Sequence, residues 1–201
     1  MSDSIEPRPY HHGNLRATFL DAAERSLREH GADQLSLRDL ARDIGVSHAA
    51  PRRHFADRQA LLSALAERGF VRLGGALRAE LTGSDAEFAV RVRNAVGAFA
   101  HFATENAALN ELMNSGKHRP GEGRIAAAAD EAFRPMVELI VEGQDLDALE
   151  AGDPEKIGII LFATVQGITT MVNGGMVHPT RLDDLVETAV RQFLRGARPA
   201  A

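Results

Sequence analysis

The side chains best equipped for chemistry in this 201-residue chain gather between Ser36 and Arg58. The stretch GVSHAAPRRHF, Gly45 to Phe55, sets the hydroxyl of Ser47, the imidazole of His48 and the small Ala49 and Ala50 ahead of the guanidinium groups of Arg52 and Arg53. Short residues first and cations behind suit a helix whose N-terminal end enters a groove lined with anions. Catalysis is not indicated, because no Ser/His/Asp spacing, paired carboxylates or metal-ligand cluster emerges. Cysteine is absent, which removes disulfides, zinc thiolate sites and cysteine nucleophiles and makes a reducing cytoplasm the expected compartment. No catalytic residue, metal or cofactor is therefore expected.

Two other stretches invite a chemical reading. His11 and His12 fit a polar arm, a phosphate or minor-groove contact, or a metal site; metal is the weakest of these, since no acid or histidine follows at helical spacing. His48 and His54 are too far apart in register to share a helical face. GKHRPGEGR, from Gly116, has glycines and cations but neither a preceding strand nor P-loop spacing, and reads as a solvated loop.

The elements that must position these groups are helices, since alternating apolar runs and hairpin turns are nearly absent. Asn14 can cap a first helix bearing Leu15, Phe19, Ala22, Ala23 and Leu27, which Gly31 stops. Ser36 with Asp39 resembles a capping box for a two-turn helix through Leu37, Leu40, Ala41 and Ile44, ended by Gly45. Ser47 is expected to cap a further short helix to about Phe55, with Pro51 tolerated at the edge of its first turn and its ring filling an inward position. Asp57 opens a longer helix through Leu61, Leu62, Leu65, Phe70, Leu73 and Leu77 to Gly83.

Ser84 with Glu87 makes a second capping box, followed by Phe88, Val92, Val96, Phe99 and Phe102. A short helix spans Ala107 to Asn114, and another runs from Gly123 to Glu142 with a kink expected at Pro135. Asp153, Pro154 and Glu155 form a clear helix start, and a last helix runs from Thr180 to about Leu194. The fold class is all-α with about nine helices.

The formal charge of -5 argues against bulk-charge coating of a polyanion, and its distribution says more. Residues 1–60 hold nine Arg against nine Asp/Glu and five of the eight histidines, so the net acidity lies in the remainder. No apolar h-region opens the chain, and no run reaches the roughly 18 uncharged apolar residues of a membrane span. The longest, Ile157 to Val172, contains Gln166, two glycines and three threonines and reads as a buried helix. No membrane partner is expected.

Helix, turn at Gly45, helix: LRDLARDIGVSHAAPRRHF satisfies helix-turn-helix spacing, with Ala41 allowing close approach and Leu40, Ile44, Val46 and Phe55 burying the underside. Together with YHHGNLR before the first helix and ADRQALLSALAERGF opening the fourth, this resembles the TetR/AcrR family of one-component transcriptional repressors over about residues 8–70. Residues 1–13, polar with two prolines, read as a flexible N-terminal arm, and the resemblance implies a three-helix DNA-binding domain (14–60) and a helical ligand-binding and dimerisation domain (61–201). It further implies a homodimer on double-stranded operator DNA, released by a small-molecule inducer.

Carried over by position, Arg38, Ser47, His48, Ala49 and Ala50 would face base edges, and Ser36, Arg52, His54 and Arg58 would grip phosphates. The related pattern APYRHF has Tyr where this chain has Arg52. In the second domain Phe99, Phe102, Met113, Phe133, Met136, Phe162 and Gln166, with Phe88, Leu109 and Met171, either line an inducer cavity or are ordinary core; the surplus of Phe and Met suits adaptable apolar binding. The alternative function is a helical small-molecule or partner-binding protein that does not bind DNA.

Overall fold

A computed structural model describes residues 15–82, 86–116 and 123–198. The arm with His11 and His12, the Asn14 cap, Ser84 and most of the GKHRPGEGR loop lie outside the described residues. Eight α-helices and three 3₁₀ turns account for the order, and no strand occurs among the described residues. By contacts the chain divides into a unit up to Leu65 and a second from Ala66, a boundary that falls inside one helix.

In the first unit α1 (Leu15–His30) buries Phe19, Leu20, Ala22, Ala23 and Leu27 along one face. Gly31, at φ +79°, ends it while donating its N–H to Leu27 at 2.9 Å. A 3₁₀ turn (Ala32–Gln34) leads to α2 (Leu37–Asp43), where Ser36 Oγ accepts from the Asp39 N–H at 3.4 Å. Asp39 does not complete the capping box; its carboxylate turns to Arg42 at 2.8 Å. Gly45, at φ +74°, donates to Arg42, and Val46 donates to Ala41 at 2.9 Å, the paired bonds of a Schellman ending that only a left-handed residue allows.

Asp57 caps α3 (Arg58–Leu81) by accepting from the Ala60 N–H at 2.8 Å. This helix gives Leu61, Leu62 and Leu65 to the first unit and Phe70, Leu73 and Leu77 to the second, all buried.

The second unit adds α4 (Phe88–Glu105), α5 (Ala107–Gly116), α6 (Gly123–Asp145), α7 (Pro154–Asn173) and α8 (Leu182–Gly196). α4 lies at its centre, packed on α5, α6, α7 and α8. Three starts differ from or refine expectation. α4 begins only at Phe88, so Glu87 is its N-cap residue rather than the third residue of a capping box. α8 begins at Leu182, because Thr180 lies in a 3₁₀ turn (Pro179–Arg181) whose cap is the His178 ring. At α7, Asp153 accepts from the N–H groups of Glu155 (3.0 Å) and Lys156 (3.4 Å), as its sequence requires.

The reading of α7 as a buried helix needs correcting. It is long and apolar enough to cross a membrane by length and composition, yet only 28% of that window is buried. Ile157, Leu161, Val165, Thr169 and Val172 face inward, while Ile159 and Ile160 stand 64% and 57% exposed. One stripe is covered by α4, α6 and α8, and the other has no cover among the described residues.

Candidate nucleic-acid interface

Between α2 and α3 the chain turns the residues singled out by sequence toward solvent. Arg38, Ser47, His48, Ala49, Arg52, Arg53 and His54 are exposed; Ala50, Ser36 and Arg58 are half-buried. The inward positions are Pro51 and Phe55, both buried.

The expected Ser47-capped α-helix does not form. Ala50 donates to Ser47 (2.9 Å), Arg53 to Ala50 (3.2 Å) and His54 to Pro51 (2.9 Å), which are three-residue steps, with a single four-residue step from Phe55 to Pro51 (2.9 Å). A 3₁₀ turn (Pro51–Arg53) is the regular part. The reason lies in Pro51. With Ser47 as cap, the first α-type bond would run from residue 51 to the Ser47 carbonyl, and proline has no N–H to make it. The carbonyl takes the Ala50 N–H, and the path tightens to 3₁₀.

The side chains around this turn divide into those anchored and those presented. His54 is exposed, yet its ring lies 6.3 Å from Phe19 and 6.5 Å from Phe55, which steadies its orientation. Phe19 meets Phe55 edge-on at 6.3 Å, and the Arg16 guanidinium lies over Phe55 at 5.5 Å. Arg58 turns inward, with Nε donating to the Leu35 carbonyl at 2.9 Å and Nη2 to that of Ala32. Arg38, Arg52 and Arg53 take part in no ion pair among the described residues, so their full charge faces outward. Sequence reasoning left Arg16 unassigned; its place three residues before Phe19 on α1 was the available signal.

The apolar residues of the second unit fall into separate groups. Phe99, Phe133 and Phe162 form a ring cluster with centroids 5.2–6.1 Å apart, and Phe70 of α3 joins it at 6.5 Å from Phe133. These are contact distances for aromatic pairs, so the cluster is closed by its own rings. Met136 is half-buried one turn from Phe133. Gln166, one turn beyond Phe162, has a buried Oε1 without a hydrogen-bond partner.

Phe102 stands apart and receives Arg72 over its ring at 5.8 Å. Met113 and Leu109 are buried against Gly69, and Phe88 packs on Gly143. Met171 is 37% exposed and belongs to the outward side of α7. Among the described residues no cluster of metal-ligating side chains occurs.

The family described as "Bacterial regulatory proteins, tetR family" matches residues 19–65, the unit that carries this turn. No curated protein matches the chain in sequence. A solved structure of a protein with unknown function from Rhodococcus sp. RHA1 is 41% identical, covering 96% of this chain and 100% of its own, with TM-score 0.88. The TetR family transcriptional regulator PfmR from Thermus thermophilus is 20% identical, covering 88% and 97% with TM-score 0.70. The fatty acid degradation regulator FadR from Bacillus halodurans is 17% identical, covering 95% and 100% with TM-score 0.71. At those last two identities the likeness is one of fold. The family match makes residues 19–65, the helix-turn-helix, a domain of the tetR family of bacterial regulatory proteins, and the fold is shared along nearly the whole length of the chain.

Proposed function

We propose that the chain is a ligand-responsive repressor that binds operator DNA as a homodimer in the cytoplasm and leaves it when a small molecule enters the second unit. The observation that carries this reading is the presented turn: Ser47, His48 and Ala49 lead, and Arg52 and Arg53, without an ion pair among the described residues, follow, all exposed on a buried base of Pro51 and Phe55. Arg38, Ser47, His48, Ala49 and Ala50 are the base readers in this account, and Ser36, Arg52 and His54 the phosphate contacts. Ser36 Oγ accepts a cap bond, which leaves its O–H to donate. Arg58 acts chiefly by holding the loop before α2 in place.

The dimer is proposed through α7 and α8. Ile160, Ala163, Thr164, Gly167 and Met171 fall at helical spacing on the uncovered side of α7, an apolar stripe of small and large residues suited to a two-fold helix contact. The inducer site is proposed at the cluster of Phe99, Phe133 and Phe162, with Met136 and Gln166 at its edge; Phe102 and Met113 act as supporting core. An apolar molecule bearing one hydrogen-bond donor would replace ring contacts and satisfy Gln166 Oε1. Anisotropy of a labelled duplex from upstream of the chain's own gene, titrated with protein with and without candidate apolar ligands, tests both parts: specific binding that a ligand weakens supports the reading, and ligand-independent affinity removes the inducer.

A further inference from the structure

A second site lies away from the aromatic cluster. α3 and α6 approach so closely at Gly74 that an added Cβ would stand 2.9 Å from the Ala132 Cα. One turn further along α3, from Arg78 onward, a cleft of about 360 Å³ is lined by the end of α3, by Arg91 in the first turn of α4 and by the middle of α6. We propose that this cleft binds a small zwitterion of the α-amino-acid type that carries a further neutral oxygen.

The charges decide the class. Glu131, Pro135, Glu138 and Glu142 follow one another along one face of α6. At one end two cations share one carboxylate: Arg78 lies 3.4 Å from Glu131, and Arg134 pairs with the same group. At the other end Arg91 and Glu142 pair one to one. Between them, Glu138 is exposed and has no ion pair among the described residues. The cleft thus holds an excess positive charge beside Arg78 and Arg134, and an excess negative charge at Glu138, about 6 Å further along the helix axis from Arg134. A singly charged ligand answers one excess and aggravates the other. The carboxylate and ammonium of an α-amino acid answer both.

Two neutral groups extend the description. Pro135 has no N–H to donate to the Glu131 carbonyl, so that oxygen loses its helical partner at the cleft wall. Arg91 Nε is buried without an acceptor, and a buried donor is costly until an oxygen reaches it. A side-chain amide or carbonyl oxygen on the ligand supplies one.

Calorimetry on the full chain without DNA tests this independently of any regulatory role. The probes are L-glutamine and L-asparagine, the cation-only L-glutaminamide, the anion-only N-acetyl-L-glutamine, and L-leucine, which keeps both charges and lacks the oxygen. One of the two amides is expected to bind once per chain, and loss of either charge to weaken binding about ten- to a hundredfold. Glu138→Gln should erase the preference over the N-acetyl compound, and Arg78→Gln the preference over the amide of the carboxyl group. Arg91→Lys keeps a cation beside Glu142 without the Nε donor, so it should erase the preference over leucine. Glu138 is exposed, so its variant should melt as the parent does. No heat from either amide at about 10 mM, or a single-charge analogue binding as tightly or tighter, overturns the proposal.

Discussion

Arg58 Nε donates to the Leu35 carbonyl at 2.9 Å, across 23 residues of chain, while the same guanidinium holds the Ala32 carbonyl through Nη2. One side chain at the start of α3 thereby fixes the loop that delivers the Ser36 cap and α2. Arg58→Ala should destabilise the protein by about 1–3 kcal/mol in urea unfolding, since two backbone carbonyls lose a charged donor. Arg58→Lys should recover little, because an ammonium lacks the fork. A variant of full stability whose DNA binding loses salt dependence would instead make Arg58 a phosphate clamp.

Arg52 and His48 separate positioning from reading. Arg52→Ala should weaken upstream and random duplexes alike and flatten the log-log salt dependence by about 0.9 per lost contact, or about 1.8 for a dimer. His48→Ala should change which base is preferred at one position, at about 1–3 kcal/mol if its contact is a good one. A salt series on both duplexes distinguishes them; altered base preference with an unchanged slope in Arg52→Ala would reverse the roles.

The close contacts at two glycines set a packing prediction. A Cβ at Gly143 would lie 2.4 Å from Phe88 Cζ and 2.8 Å from Leu149 Cδ1, and one at Gly74 meets the Ala132 backbone. Gly143→Ala and Gly74→Ala should each destabilise by about 1–3 kcal/mol through overpacking, despite better helix propensity. Gly75→Ala, on the same helix with nothing within 4 Å, serves as control and should be neutral or stabilising in the same urea titration.

Much of the fold was legible because caps and glycines are local signals. Ser36, Asp57 and Asp153 cap where the sequence places them, and Gly31 and Gly45 carry the positive φ that ends α1 and α2. The turn between α2 and α3 was legible in position and not in form, since the hydrogen bond that Pro51 deletes is the one that starts an α-helix, and its loss redirects the following bonds. Glu87 and Thr180 misled for a related reason: a capping-box spacing shows that a helix can start, and tertiary packing chooses where. In the second unit, periodicity identified inward-facing phenylalanines without telling Phe102, beneath Arg72, from the ring cluster of Phe99, Phe133 and Phe162. Nor could it show which side of α7 stays uncovered, because both of its faces are apolar.

That uncovered side carries the assembly prediction. Ile160→Glu places a charge in the stripe proposed to meet a second copy, and it should convert a dimer to monomer in sedimentation at micromolar concentration. Ile160 is 57% exposed in the single chain, so the monomer should keep its helical circular dichroism. A parent protein that is itself monomeric would remove the dimer.

Sequence-specific DNA binding by the turn between α2 and α3 is decided by competition anisotropy. A labelled duplex from upstream of the chain's own gene is titrated with protein near physiological salt and then competed with the same unlabelled duplex or a shuffled one of equal composition. The upstream duplex is expected to compete at least about a thousandfold better than the shuffled one, with the advantage shrinking in His48→Ala. Equal competition by the two duplexes, or no binding to either, would contradict it.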